Sequence, residues 1–233
     1  MNRFRVLTLV LGVVCLLAFA HRAEAQTDTV TDERAWFTFS LQGPIGADSS
    51  KWRLAIVSFF RSRDGVDELD SAAVRPILSY NIDKHSSVGG GYALAPSFPV
   101  TGGTTIEHRW FEQYVWTQSL AGGSLSARTR IEQRFIENNS GVDHRLREVV
   151  RYTHPIHAGS KTYLAGYDEL FLHLNDTTRS KSGVDQNRAY AGAGRALNAR
   201  FRIEVGYLNQ FIPGHIVPDR MNHVLSGTLQ ISY

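Results

Sequence analysis

The amino-acid sequence predicts an all-β protein: a single antiparallel transmembrane β-barrel of the outer-membrane type, with about 10 to 12 strands, after a cleaved signal peptide. Three observations predict it. Residues 1–25 have the organisation of a secretory signal. Apolar and polar residues alternate with a period of two through most of the remaining chain. The last alternating segment ends on Tyr233, which resembles the carboxy-terminal signature that outer-membrane barrels present to their assembly machinery.

The amino terminus predicts export across the inner membrane. Arg3 and Arg5 precede an apolar run at residues 6–20, and a small-x-small motif ends at Ala25. This order predicts a signal peptide that is cleaved after Ala25. The apolar run is shorter than the roughly 20 residues that a transmembrane helix needs. We therefore expect the cell outer membrane as the location, with residues 26–233 as one barrel domain.

Charge and cysteine content exclude some classes of function. The chain carries 25 Lys and Arg against 22 Asp and Glu. The predicted signal contains three arginines and one glutamate, so 22 cationic and 21 acidic residues remain after cleavage. This near balance predicts no nucleic-acid partner. The sole cysteine, Cys15, lies in the predicted signal, so the remaining chain is expected to hold no disulfide and no cysteine-based metal site.

Alternation and the turn residues between alternating segments predict eleven strands. No stretch after residue 25 is apolar enough to span a membrane as a helix, and none keeps a helical period over three turns. The predicted strands are residues 34–41, 51–63, 72–82, 87–95, 105–119, 124–137, 144–153, 161–174, 185–197, 200–211 and 221–233.

The predicted connections alternate between short and long. Short turns on one rim and long loops on the other are typical of outer-membrane barrels, in which the short turns are periplasmic. The long connections are also richer in Gly, Pro, Asp or Ser. Short connections are predicted at residues 83–86, 120–123, 154–160 and around 198, and long ones at 64–71, 96–103, 138–143, 176–184 and 212–220.

The strand number leaves an alternative open. Bacterial barrels normally have an even number of strands, and the ten segments from residue 51 onward fit the alternation of turns and loops. Segment 34–41 is then either half of an unrecognised pair, which gives about 12 strands, or an amino-terminal strand that leans on or into the barrel.

The two faces of the predicted strands separate charged from apolar side chains. In residues 124–137, Arg128, Arg130, Glu132 and Arg134 share one parity, and the large apolar residues share the other. A soluble sandwich also alternates, but arginine with Glu and Gln favours a lumen in which guanidinium and carboxylate groups pair. The predicted lumen charge ladder is Glu107, Arg109, Gln113, Arg128, Arg130, Glu132, Arg134, Arg145, Arg147, Arg151, Glu169, Gln186, Arg188, Arg202, Glu204 and Gln210.

Three acidic residues depart from this pattern. Glu112, Glu148 and Asp168 fall on the apolar parity of their strands. A lipid-facing charge near the middle of a membrane is costly. Bulges that shift the register, positions above the bilayer, or contact with a partner are the three explanations that the sequence leaves open.

The last strand carries the predicted assembly signal. Leu225, Leu229, Ile231 and Tyr233 share one parity of residues 223–233, opposite a mostly polar face. We expect the barrel assembly machinery to recognise these side chains.

Several strings along the chain carry a family resemblance. The chain resembles domain-of-unknown-function family 2490, a bacterial family placed among outer-membrane β-barrels. The resemblance covers essentially all of residues 26–233 and implies the barrel and the envelope location, but it supplies no activity and no catalytic residues. The strings are Glu107-His-Arg109 with Gln113, Arg128-Thr-Arg130-Ile-Glu132-Gln-Arg134-Phe135, Asp185-Gln-Asn-Arg188 leading to Tyr190, Gly192 and Gly194, and Gly206-Tyr-Leu-Asn-Gln210.

The motifs of the common enzyme classes are absent from the sequence. It contains no Gly-x-Ser-x-Gly, no His-Glu-x-x-His, no phosphate loop and no dinucleotide fingerprint. We therefore predict no enzyme activity, no metal and no cofactor. His154 and His157 flank a predicted turn without a third metal ligand at suitable spacing. Glu169 and His173 share a parity and fit a structural hydrogen bond better than a catalytic base with its orienting group.

The first functional hypothesis is a narrow channel for small or anionic solutes through an arginine-lined lumen. The second is a closed structural barrel whose long extracellular loops bind a partner or a polysaccharide, and a lipid-modifying enzyme at the rim is the third. The expected partners are outer-membrane lipid and lipopolysaccharide, the barrel assembly machinery and a small anionic solute.

Overall fold

Eleven β-strands form one closed barrel. The structure is a computed structural model that describes residues 29–47, 50–214 and 217–233. The predicted signal peptide lies outside these residues. No helix within the described ranges is long and apolar enough to cross a membrane.

The strands are 12 to 16 residues long and follow one another around the barrel wall. All eleven predicted segments are strands, with ends that differ by a few residues from the prediction. The strands are β1 (Val30–Pro44), β2 (Trp52–Arg63), β3 (Glu68–Asn81), β4 (Ser86–Ser97), β5 (Thr105–Leu120), β6 (Gly123–Ile136), β7 (Asp143–Pro155), β8 (Thr162–His173), β9 (Gly183–Ala196), β10 (Phe201–Ile212) and β11 (Arg220–Ser232).

One predicted loop is shorter than expected. The connection predicted at residues 64–71 occupies only residues 64–67, because β3 begins at Glu68. It contains a single 3-10 turn, Asp64–Val66, in which Gly65 has a φ of 65°. Glycine adopts this left-handed conformation without the steric cost that a side chain adds. The turn therefore reverses the chain in very few residues.

The barrel closes through a parallel pair. β1 pairs with β2 antiparallel and with β11 parallel, so that Thr38 lies opposite both Phe59 and Thr228. All other neighbours are antiparallel. The predicted all-β barrel of about 10 to 12 strands is confirmed, with 11 strands. The parallel pair of β1 and β11 is the one departure from the antiparallel arrangement. Segment 34–41 belongs to the wall, because it pairs with both β2 and β11. An odd number of strands joined by hairpins can close only through one parallel pair.

The two rims of the barrel differ in their connections. We call them the short-turn rim and the long-loop rim. The tightest connection is Ala121-Gly122, where φ values of 48° and 81° provide the two left-handed residues of a tight hairpin. The short-turn rim has residues 82–85, 121–122, 156–161, 197–200 and the β1–β2 link at 45–51, and the long-loop rim has 64–67, 98–104, 137–142, 174–182 and 213–219.

The outer face of the wall is mainly apolar, and aromatic residues lie toward both rims. Phe60 and Leu225, for example, are 51% and 63% exposed. Toward the short-turn rim, the rings of Trp52 and Tyr80 meet edge to face at 5.0 Å. Toward the long-loop rim, Phe135 is 45% exposed one residue before the end of β6. This distribution reverses the usual arrangement of a soluble domain, in which large apolar groups are inside.

The three exceptional acidic residues do lie on the outer face. Bulges do not explain them, because the register shifts fall between Arg61 and Ser62 and between Phe171 and Leu172. Each of the three carboxylates instead accepts a hydrogen bond from a neighbouring strand. The pairs are Gln133 Nε2 to Glu112 Oε2 at 3.1 Å, Thr129 Oγ1 to Glu148 Oε2 at 2.9 Å and Asn187 Nδ2 to Asp168 Oδ1 at 2.9 Å.

An engineered disulfide tests the parallel closure. In a Cys15→Ser background, Thr38→Cys and Thr228→Cys should oxidise to one intramolecular disulfide, because the two residues are register partners with inward-facing side chains. Mass spectrometry of the alkylated protein detects the bond. The control pairs Thr38→Cys with Ser232→Cys, whose register partner is four residues away, roughly 13 Å along the strand. Free thiols in the first variant, or equal oxidation of both, would contradict the closure.

Candidate functional site: the charged interior

The residues of the predicted charge ladder all lie on the inward parity of their strands, from β5 to β10. Most of them are buried or line an internal cavity. The fully or almost fully buried members are Arg109, Arg130, Glu132, Arg145, Arg147, Glu169, Gln186, Arg188, Glu204 and Gln210.

Glu132 is the centre of the ion-pair network. Its side chain is completely buried on β6, directly opposite Arg145 of β7. Arg145 Nη2 lies 2.7 Å from Glu132 Oε2, and Arg147 Nη1 lies 2.7 Å from Oε1. Arg109 approaches the same oxygen at 3.5 Å from the other side. One carboxylate thus neutralises guanidinium groups from two neighbouring strands, which is why its burial is tolerated.

Glu169 of β8 is the second acidic centre. Its Oε1 atom lies 2.5 Å from Arg147 Nη2 and 2.8 Å from Arg128 Nη2, while Oε2 lies 3.7 Å from Arg188 Nη1. Because Arg147 contacts both Glu132 and Glu169, the two centres form one network. The network fills the interior on the side of β5 to β9.

Another group of charges lies toward the long-loop rim. Asp143 is fully buried and accepts from Arg134 at 2.8 Å, while its other oxygen lies 2.8 Å from His173 Nδ1. His173 Nε2 also lies 3.3 Å from Asp185. The predicted pairing of His173 with Glu169 is not observed, because His173 lies between the two aspartates. His173 thus bridges β7 and β9 at this end of the interior.

The loop of residues 174–182 folds into the mouth of the barrel. Ser180 Oγ donates to Asp143 Oδ2 at 3.0 Å. At the exposed part of the loop, Asp176 accepts from the Ser182 backbone N–H at 2.7 Å and lies 3.3 Å from Lys181 Nζ. The hydrogen bonds from Ser182, followed by the Lys181 ammonium, lower the pKa of Asp176 to about 2. The loop therefore keeps a charged Asp176 near neutral pH.

Aromatic residues among the inward-facing charges were not predicted. Trp36, Phe59, Phe111 and Phe171 occupy the same parity as the arginines, and all four are buried. Arg130, for example, lies over the Phe111 ring at 4.1 Å and donates to Gln113. The sequence did contain a signal for these buried rings, because large apolar side chains share the parity of the charged residues in the predicted strands.

Three of these rings and three arginines form what we call the arginine–aromatic chain: Phe171, Arg188, Trp36, Arg61, Phe59 and Arg75. Arg188 lies 4.5 Å from the Phe171 ring and 4.8 Å from that of Trp36. Arg61 then lies 4.3 Å from Trp36 and 4.1 Å from Phe59, which Arg75 approaches at 5.1 Å. Since β10 and β11 separate β9 from β1 in the wall, the contact between Arg188 and Trp36 crosses the interior.

Two internal cavities meet at this chain. The cavity toward the short-turn rim has a volume of about 1220 Å³, and the one toward the long-loop rim about 470 Å³. We call the residues that line both cavities the waist. They are Phe59, Arg61, Arg75, Arg147 and Arg188.

Both cavities are lined by an excess of cations. The larger one has eight cationic side chains and two carboxylates, Glu169 and Glu204. The smaller one has eight arginines and three carboxylates, Asp70, Glu107 and Asp185. Arg61 and Arg75, which belong to both cavities, were missed by the sequence-based prediction, although they lie on the inward parity of β2 and β3. Among the described residues, no group of three or more His, Cys, Asp or Glu could hold a metal ion.

The fold and the interior define the class: a closed β-barrel with a mainly apolar outer face and an interior of paired and unpaired arginines. The chain belongs to the family described as "Protein of unknown function (DUF2490)", whose model matches residues 33–222. The predicted family is thereby confirmed.

The chain is also similar to a curated protein along nearly its whole length. The chain is 30% identical, over 233 residues, to an uncharacterized protein of Methylorubrum extorquens, and the match covers 97% of each chain. No solved structure matches this chain.

Replacing Glu132 tests the importance of the network. Glu132→Gln should lower the free energy of unfolding by about 3 to 5 kcal/mol, because it leaves buried guanidinium groups without their carboxylate. Equilibrium urea unfolding of the refolded protein, followed by tryptophan fluorescence, measures the change. The control Glu68→Gln removes a carboxylate that is 54% exposed and pairs with Arg63, so it should cost less than about 1 kcal/mol. Equal losses in the two variants would contradict the central role of Glu132.

Proposed function

We propose that this protein is an outer-membrane barrel whose lumen admits small anionic solutes. The observation that carries the proposal is the excess of cations along both cavities, eight against two and eight against three. A lining of one charge sign concentrates solutes of the opposite sign and excludes those of the same sign. Solutes would be selected by charge most strongly at the waist, where the two cavities meet.

The outer face supports the membrane part of this proposal. Its apolar side chains match a hydrocarbon environment, and exposed aromatic residues near the rims, such as Trp52 and Phe135, match the interfaces. In the proposed orientation, the short-turn rim faces the periplasm and the long loops face outward. Outer-membrane lipid and lipopolysaccharide are then the surroundings of the wall.

The ion-pair network favours a second candidate function, a closed structural barrel. Glu132, Arg145, Arg147 and Glu169 are each at least 93% buried and rigidify one side of the interior. In such a barrel, function lies in the long loops, which bind a partner or a polysaccharide. Electrical conductance distinguishes the two candidates.

Deletion of the last residue tests the location and the assembly signal. Tyr233 donates its backbone N–H to Gln42 at 3.1 Å, and its ring lies against Gly43, where there is no side chain. Deleting Tyr233 should lower the amount of heat-modifiable protein in the outer-membrane fraction several-fold. Tyr233→Phe, which keeps the ring and the backbone bond, is the control and should match the parent. A soluble periplasmic parent protein would refute the membrane proposal, and normal levels of the deletion variant would refute the assembly signal.

Planar-bilayer recordings test the channel. The refolded protein should give conductance steps with anion preference. Lys161→Glu with Arg202→Glu, two cations of the larger cavity, should lower the anion-to-cation permeability ratio about threefold or more. Neither residue has an ion-pair partner among the described residues, so folding should be preserved.

The control for these recordings is Arg195→Glu, which changes the same charge on the outward parity of β9 and should leave the permeability ratio unchanged. The absence of steps in the parent protein would favour the closed structural barrel. Steps whose selectivity is the same in the double variant would exclude the lumen charges as the selectivity element.

A further inference from the structure

Two of the four waist arginines, Arg61 and Arg75, lack the carboxylate partners that Arg147 and Arg188 have. Among the described residues, no carboxylate lies within salt-bridge distance of Arg61 or Arg75. Their contacts are with aromatic rings, at 4.3 Å and 4.1 Å for Arg61 and at 5.1 Å for Arg75. The Arg75 Nε atom is buried without a hydrogen-bond partner.

Carboxylates neutralise the other two arginines of the waist. Arg147 contacts Glu169 at 2.5 Å and Glu132 at 2.7 Å, and Arg188 lies 3.7 Å from Glu169. The waist therefore has one side on which charges are paired and another, formed by Arg61 and Arg75, on which positive charge is uncompensated.

The two uncompensated cations contact the same ring, that of Phe59. Both approach the ring of Phe59, so their guanidinium carbons can be no more than 9.2 Å apart, the sum of their distances of 4.1 Å and 5.1 Å from its centre. A guanidinium that packs over a ring keeps N–H donors along its edge. Like charges at this separation repel, and an anion that contacts both removes the repulsion.

The geometry points to a binding site at the waist for an oxyanion that carries two negative charges. A dicarboxylate and a phosphate share this chemistry, since each brings two charges and several acceptor oxygens to the two guanidinium edges. A monocarboxylate can neutralise only one of them. This inference rests on the proposed function insofar as the anion must enter the lumen, and it names the class of solute that binds most tightly there.

Trp36 provides a direct signal for the site. Arg61 and Arg188 both contact its ring, and the other three tryptophans, Trp52, Trp110 and Trp116, are on the outward parity of their strands. An anion that binds the Arg61 guanidinium should therefore change the fluorescence of Trp36 and of no other tryptophan. Trp36→Phe should abolish the change.

The experiment titrates the refolded protein in detergent with succinate, inorganic phosphate and acetate at pH 8 and constant ionic strength. Succinate and phosphate should reach half-saturation at about tenfold lower concentration than acetate. A response to only one of the two dianions identifies the preferred chemistry as carboxylate or phosphoryl. Half-saturation at the same concentration for all three anions would overturn the inference.

Three variants of the waist and one control on the outer face locate the site. Arg61→Gln and Arg75→Gln should each weaken succinate or phosphate binding about tenfold, and Arg195→Gln on the outer face should not. Arg61→Lys keeps the charge and loses the planar fork, so it should also bind more weakly, and it decides the matter if Arg61→Gln does not fold. Unchanged binding in Arg61→Lys and Arg75→Gln would place the site elsewhere and refute the inference.

The two proposals fail in different ways. Saturable dianion binding without conductance steps leaves the waist site valid and refutes the channel. Anion-selective conductance without a preference for dianions at Trp36 leaves the channel valid and refutes the waist site.

Discussion

Each guanidinium group inside this narrow closed sheet must find a carboxylate, an amide oxygen, an aromatic face or water. The interior is organised by that requirement, because an unpaired buried charge costs several kcal/mol. Glu132 satisfies arginines from β5 and β7 at once. Glu169 then links Arg147 to Arg128 and Arg188. Since the members share partners, they stabilise the barrel as a unit and their contributions do not add.

Aromatic rings that pack against guanidinium groups allow the barrel interior to hold more arginines than carboxylates. Each cation–aromatic contact contributes about 0.5 to 2 kcal/mol to stability, which is less than the stability lost when a buried ion pair is broken. The aromatic contact leaves the edge of the guanidinium free to donate hydrogen bonds. The Arg61 and Arg75 side chains are held in this way. One side of the waist is thus rigid and neutral, and the other is ordered yet still positively charged. A wholly salt-bridged interior would be stable but would have no affinity for an anion.

The strands and the inward face could be predicted from the sequence, because both depend on the two-residue period of a strand. That period alone predicts that Arg130 and Glu132 face the interior, even though their interaction partners are unknown at that stage. Which groups meet across the lumen could not be predicted, because Asp143 and His173 are thirty residues apart in sequence. Gly91 is a further example. A side chain there would come within 2.6 Å of the Phe111 ring, so glycine makes room for the ring that packs against Arg130, a relation that no local pattern reveals.

The odd strand number has a consequence for the two ends of the wall. In a barrel with an even number of hairpin-joined strands, the chain enters the first strand and leaves the last strand on the same side. Here Val30 begins β1 at the long-loop rim, whereas β11 ends with Ser232 at the short-turn rim. The ends are separated by the length of a strand of 13 to 15 residues, roughly 40 Å or more along its axis. If the barrel is set in a membrane, the polypeptide enters the wall on one side and leaves it on the other, whereas both ends of an even-stranded barrel lie on the same side.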